Sequence, residues 1–159
     1  MITKDKRYIV YLEKTIVRMI YLAYSTALSQ GISILLYIHG ITEEHCYNFL
    51  STKVISEQLN IPVPTTVKVI RNLNNAKLTI AKEGAKGGIL LAKALSEITL
   101  LDVFLAVEPG KALFKLHTDV TLQGKEVDEV KQKIADSLQA AEIAMQNHLK
   151  EVRLTDLLN

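Results

Sequence analysis

The chain has 159 residues, 48% of them hydrophobic and 23% charged, with a formal net charge of +2. That is enough apolar material for a buried core in one compact domain, or a small domain with an appended arm, and it excludes a disordered chain. One cysteine excludes an internal disulfide framework, a zinc site with two or more thiolates and a cysteine-held iron–sulfur cluster within one chain, and it suits a reducing cytoplasm.

The charge is uneven. Residues 51–93 carry seven basic and two acidic side chains, a net of +5, whereas residues 94–159 carry seven basic and eleven acidic, a net of −4. A basic middle followed by an acidic tail fits a polyanion-binding module with a separate element facing something else. An ordinary solvated surface is the competing reading.

Taken in chain order, residues 1–18 read as an extension that can form an extra helix. Glu13, Lys14 and Arg18 interrupt its apolar residues, and no cleavable signal is evident. Ile9, Leu12, Ile16, Met19, Ile20 and Ala23, then Leu28, Ile32, Leu35, Leu36 and Ile38, recur at helical spacings. They predict helix from about Tyr8 to His39, with room for a break near Ser25 or Gly31. Met19 to Thr42 lacks formal charge and is long enough to span a bilayer. Its Ser25, Thr26, Ser29, Gln30 and His39 fit a buried helix with one wetter face better. Residues 40–48 read as a loop, which holds Cys46.

Ser51 or Thr52 can cap a short helix carrying Lys53, Val54, Ile55 and Leu59. Asn60-Ile61-Pro62-Val63 is a tight connection, and Pro64 suits the first turn of a second helix ending near Ala76. That helix is expected to bury Val67, Ile70 and Leu73, leaving Thr65, Lys68, Asn72 and Asn75 on another side with Arg71 on its flank. Two short helices joined this way form a helix-turn-helix. Residues 78–81 and 89–92 read as strands around a glycine-rich turn with Lys82, Lys86, Gly87 and Gly88. A hairpin directly after a helix-turn-helix is a wing. Thr99 to Asp102 matches a capping box opening a helix to about Val107, stopped by Pro109-Gly110. From Lys125, Val127, Val130, Ile134, Leu138, Ala141, Met145, Leu149 and Val152 step by three and four, as in a helix that pairs with a partner along an apolar stripe. Packing on its own domain is the alternative for that stripe.

No catalytic constellation is present. The GAKGG turn lacks phosphate-loop spacing and precedes a strand, and no G-x-S-x-G, H-E-x-x-H or paired C-x-x-C occurs. His39, His45, His117 and His148 are scattered, and the adjacent His45 and Cys46 are too few to hold a metal in one chain. Enzymatic activity, a metal site and a cofactor are therefore not expected. A helix face bearing Thr, Lys, Arg and Asn supplies donors for base edges and phosphates, and a lysine-bearing wing can reach the neighbouring backbone. One such module spans too few base pairs for high specificity, so a dimer on two half-sites of double-stranded DNA is expected.

The runs STKVISEQLNIPVPTTVKVIRNLNNAKL, KEGAKGGILLAK and EITLLDVFLAVE, in that order, resemble the Rrf-type family of bacterial winged-helix transcription regulators. The resemblance covers about Tyr24 to Val152. It implies a homodimeric DNA-binding regulator, most often a repressor, with a long C-terminal dimerisation helix. It places Thr65, Thr66, Lys68 and Arg71 in the recognition helix and Gly84, Gly87 and Gly88 in the wing. Three departures stand out. Cluster-bearing members have three cysteines before the dimerisation helix, and residues 103–126 have none. Glu83 stands where many members carry a wing arginine, which leaves wing contact to Lys82 and Lys86. Residues 1–18 precede the usual start. Cys46 reads either as an unreactive thiol or, as some cluster-free relatives suggest, as a redox switch; a protonated His45 would favour its thiolate, and Glu43 and Glu44 oppose that.

These readings give a mainly α fold with a small β-hairpin wing. They divide it into residues 1–18 (extension), 19–108 (winged helix-turn-helix), 109–124 (linker) and 125–159 (dimerisation helix and tail). The expected function is a cytoplasmic, homodimeric, sequence-specific DNA-binding repressor, without a cluster or a membrane partner, answering an unidentified small-molecule or redox signal. The DNA contacts are expected from Lys53, Thr65, Thr66, Lys68, Arg71, Asn72, Lys82, Lys86, Gly87 and Gly88. A winged-helix protein-interaction module that does not read DNA is the alternative.

Overall fold

The helix α1, Ala27–His45, is the centre of the core. In the computed structural model, which describes residues 25–45, 49–82, 84, 87–110, 113–117 and 119–158, positions 31–38 of this helix are buried without interruption. A helix apolar on every side has to be enclosed by protein, which accounts for the charge-free stretch. Ser25 accepts a hydrogen bond from the Ala27 N–H at 3.2 Å where the helix begins, and Gly31 does not break it. The helix continues past the expected end at His39, so the loop expected over residues 40–48 is helical as far as His45. Thr42 follows the helix by donating its hydroxyl to the Ile38 carbonyl at 2.7 Å. Residues 1–24 lie outside the described residues, and so does the expected extension. Among the described residues, no helix is long and apolar enough to cross a membrane.

The expected helix-turn-helix is present as α2, Thr52–Leu59, and α3, Val63–Asn75. Ser51 caps α2, its hydroxyl accepting the Val54 N–H at 3.2 Å. Asn60 ends it in the left-handed region at φ 51°, a conformation Asn tolerates better than most residues. The Ser56 hydroxyl donates to the Ile61 carbonyl at 2.6 Å and so closes the turn from within the core. Pro64 occupies the first turn of α3, where no intrahelical N–H is lost.

The buried side of α3 is Thr66, Val69, Ile70 and Leu73. This corrects the expected set: Val67 is 50% exposed, and Thr66 takes its place inside at 0%. Burial of Thr66 is possible because its hydroxyl lies within hydrogen-bonding distance of the Ile61 and Pro62 carbonyls, at 3.3 and 3.2 Å.

The wing consists of β1, Thr79–Lys82, and β2, Gly88–Leu91, paired antiparallel with Ile80 opposite Leu90 and Lys82 opposite Gly88. Leu50 adds a single bridge on the far side of β2, exchanging backbone hydrogen bonds with Ile89 at 3.0 and 2.8 Å. A short 3-10 turn, Leu95–Glu97, leads to α4, Leu100–Val107. The Thr99 hydroxyl accepts from the Asp102 N–H at 3.1 Å, and Asp102 accepts from the Thr99 N–H at 2.8 Å, as the capping-box reading expects. α4 packs on α1 closely enough that a Cβ at Gly31 would stand 3.0 Å from a Val103 methyl and 3.1 Å from one of Val107.

The last helix, α5, spans Lys125–Glu151. At 1.5 Å per residue it is about 40 Å long. None of its residues is fully buried. The residues after it are tied down. The Leu100 N–H donates to Val152 O and the Leu154 N–H to Ile98 O, both at 2.9 Å. The Arg153 guanidinium reaches the Ser96 carbonyl at 2.6 Å, and Leu154 is 0% exposed in a final 3-10 turn, Leu154–Leu157.

Candidate nucleic-acid interface

With Thr66, Val69, Ile70 and Leu73 turned into the core, the opposite side of α3 faces solvent along its whole length. Lys68 and Arg71 are exposed there, and Thr65 and Asn72 are half-buried on its flank. Among the described residues neither Lys68 nor Arg71 is held in an ion pair. Both are thus exposed cations on the outer side of the helix. Lys53, on the exposed side of α2, stands 3.9 Å from Glu57 one turn along, a solvated pair that restrains it little.

The wing divides the expected contacts. Lys82 is exposed at the end of β1, with its ammonium 5.4 Å from the centre of the Phe49 ring. That cation–π contact steadies the side chain at the turn end of the wing. Gly87 donates its N–H to the Gly84 carbonyl at 2.9 Å and so shapes the turn. Gly88 has a role within the fold. Its φ is +151°, and a Cβ there would lie 2.6 Å from the Leu50 carbonyl oxygen. The close approach that its missing side chain permits is to the Leu50 backbone. Lys86, Glu83 and Cys46 lie outside the described residues.

Thr66 leaves the set of surface candidates, since its side chain is enclosed and its hydroxyl faces internal carbonyls. In its stead the structure exposes Val63 and Val67, at 48% and 50%, on α3. Spacing alone allows this arrangement without deciding for it. A 66, 69, 70, 73 spacing packs one side of a helix as well as 67, 70, 73 does, and it leaves both valines outside.

On the stripe of α5, Val127, Leu138, Met145 and Leu149 are half-buried, while Val130, Ile134 and Ala141 are exposed. Among the described residues the stripe is therefore covered only in part, and Val130, Ile134 and Ala141 are left open. Ionisation in the described residues is perturbed clearly at Tyr37, whose phenol is pushed up by burial in α1, away from this surface.

A helix-turn-helix with its second helix bared and a hairpin beside it is a winged helix, the architecture of a class of transcription regulators. The chain belongs to the Rrf2 family, described as iron-dependent transcriptional regulators, whose model matches residues 24–159. YwgB of Bacillus subtilis, assigned as an HTH-type transcriptional regulator, is 31% identical over 90 residues, 57% of this chain and 56% of YwgB. The match thus spans little more than half of that relative's length. Among solved structures, CymR, the global cysteine regulator of B. subtilis, is 23% identical with a TM-score of 0.56, over 86% of this chain and 95% of that one. T. potens IscR is 21% identical with a TM-score of 0.55, over 88% of each chain. At these identities the structural likeness establishes the fold.

The family description implies iron, and the thiolates that hold an iron–sulfur cluster are not among the donors here. The chain has one cysteine, and residues 103–126 offer His117, Asp119, Glu108 and Glu126 without a thiol. Among the described residues no three His, Cys, Asp or Glu side chains stand close enough to hold a metal ion. A cluster of the thiolate-held kind has no set of ligands in this chain.

Proposed function

We propose that the protein is a homodimeric, sequence-specific DNA-binding transcription regulator that acts as a repressor and works without an iron–sulfur cluster. The observation that carries the reading is the outer side of α3. Lys68 and Arg71 are exposed and unengaged among the described residues, on a helix whose other side is fixed in the core. A rigidly seated helix with exposed cations can enter the major groove, with the lysines carrying phosphate contact and Arg71 suited to pair bidentately with guanine. Lys82 and Lys86 add contacts from the wing, and Lys53 from α2. The partly open stripe of α5 supports pairing with a second copy, which would present two such helices to two half-sites. Family membership supports transcription as the process regulated. Repression is the commonest mode in the resembling family, and the single thiol supports the absence of a cluster. A cytoplasmic location follows from contact with DNA in a bacterial cell.

The test is binding of the full chain to a random-sequence duplex library across a salt series. Neutralising phosphates with lysines releases counterions, so affinity should fall steeply as salt rises. Arg71→Ala should relax the selected consensus at one base pair per half-site, a loss of about 1–3 kcal/mol in discrimination. Lys86→Ala should weaken all sequences alike and lower the salt slope by about one. An unchanged consensus with Arg71→Ala would remove Arg71 as a reader. In vitro transcription from a template carrying the selected site then separates repression from activation.

A further inference from the structure

We propose that Val63 and Val67 are specificity-determining residues that read thymine, their methyl groups meeting the 5-methyl groups of thymines in the major groove. The proposal rests on the DNA-binding reading above and deepens it. Val63, Val67 and Arg71 stand four residues apart in succession, so they line one side of α3. The two valines are 48% and 50% exposed, and the core beneath is filled without them by Thr66, Val69, Ile70 and Leu73.

Local structure does not call for valine at these positions. A β-branched residue on an exposed helical face is a weaker helix former than the Ala, Glu or Lys such a face ordinarily carries. The chemistry of the face narrows what covers it. A purely apolar partner would leave Arg71 and Lys68 desolvated without a counter-charge. A polyanion with apolar features meets both halves of the face. Duplex DNA has that character in its major groove, where phosphates flank the floor and the thymine methyl is the apolar group that distinguishes one base. The net +5 of residues 51–93 points to the same occupant. At about 1.5 Å per residue Val67 lies about 6 Å and Val63 about 12 Å along the axis from Arg71, and base pairs are about 3.4 Å apart, so the thymines should fall about two steps (Val67) and about three to four steps (Val63) from the pair that Arg71 contacts.

The experiment uses the full-length chain and the duplex selected from a random library, synthesised once with thymine and once with deoxyuridine at every thymine position. Burial of a methyl is worth about 0.8 kcal/mol, so the wild type should bind the thymine duplex about fourfold more tightly for each methyl contacted. Val67→Ala should bring the ratio toward one and leave the salt slope unchanged. Val67→Thr, which keeps the branched shape and exchanges a methyl for a hydroxyl, should also lower it. Equal binding of the two duplexes by the wild type overturns the thymine reading and leaves DNA binding standing, as does a Val67→Ala ratio as large as the wild type's. A Val67→Ala protein that changes its oligomeric state in sedimentation, with the ratio intact, assigns the face to a protein contact and overturns the proposal. Absence of salt-sensitive binding to any duplex overturns the DNA reading and this one with it.

Discussion

Gly88→Ala separates two reasons for a glycine in the wing. If glycine is there to let DNA approach, alanine should weaken binding and leave stability alone. The structure gives the opposite expectation. The new Cβ would stand 2.6 Å from Leu50 O, 2.8 Å from Leu50 C and 3.0 Å from Leu50 N, all backbone atoms that cannot rotate away. Relief requires separating Leu50 from β2, which breaks the Leu50–Ile89 pair of hydrogen bonds, each worth about 0.5–1.5 kcal/mol net. Holding alanine at φ +151° adds strain of about 1–3 kcal/mol. The expected loss is therefore about 2–6 kcal/mol, read as a lowered midpoint in urea denaturation. Gly84→Ala is the control: its φ is +109° but nothing lies within 4 Å of the added Cβ, so it should show the strain alone. A Gly88→Ala midpoint equal to the wild type's, or a loss no larger than that of Gly84→Ala, would refute the packing argument.

Leu154→Ala removes a fully enclosed side chain near the C-terminus and should cost about 2–5 kcal/mol by urea denaturation; a neutral result would mean the tail is not part of the core. Thr66→Val keeps the volume and loses the hydroxyl contacts to Ile61 and Pro62, so stability should fall by about 1 kcal/mol while the selected DNA consensus stays the same. A changed consensus would return Thr66 to the readers. Leu138→Asp should give monomers in sedimentation and abolish binding to paired half-sites, because burying an unpaired carboxylate in an interface carries an effective penalty of several kcal/mol; a persistent dimer rejects the stripe as the interface. Burial raises the Tyr37 phenol above 10.0, so the unfolded chain ionises first and stability should fall as pH rises from about 10 toward the folded value. Tyr37→Phe should lessen that decline, and an identical alkaline decline in both proteins would discount the burial effect.

The elements that were legible in the sequence are those with a local cause. The Ser51 cap, the proline in the first turn of α3, the Thr99–Asp102 box and the two strands around the glycine turn each act within a few residues; the first three lie where they were expected and the strands within one residue of it. What was not legible depends on particular contacts, some local and some from elsewhere in the chain. Val67 and Thr66 exchange places because Ile61 and Pro62 offer carbonyls to a threonine hydroxyl, which no hydropathy pattern records. The run from Gly40 to His45, rich in polar residues, reads as a loop but continues α1. The role of Gly88 depends on Leu50, thirty-eight positions earlier, and that of Leu154 on Ile98. At the candidate site, Lys68 and Arg71 were legible because charged side chains are rarely buried without a partner, so their exposure follows from residue type. The valines beside them were not, since valine is at home on either side of a helix.

The C-terminal residues connect these two kinds of information. α5 begins and runs without fully burying a side chain, yet at its end the chain is tied to the winged helix through Val152, Arg153 and Leu154. Those ties fall on residues 96–100, which lead into α4, and α4 packs on both α1 and α3. An unbroken series of packed elements thus runs from the end of α5 to the inner side of α3. In such a chain the direction of α5 relative to α3 is set within one copy, before any partner arrives. Two copies joined along α5 would therefore hold their recognition helices at a separation fixed by the fold, with little entropy left to lose on binding. A loosely tethered dimer would tolerate variable half-site spacing; this arrangement calls for a single one.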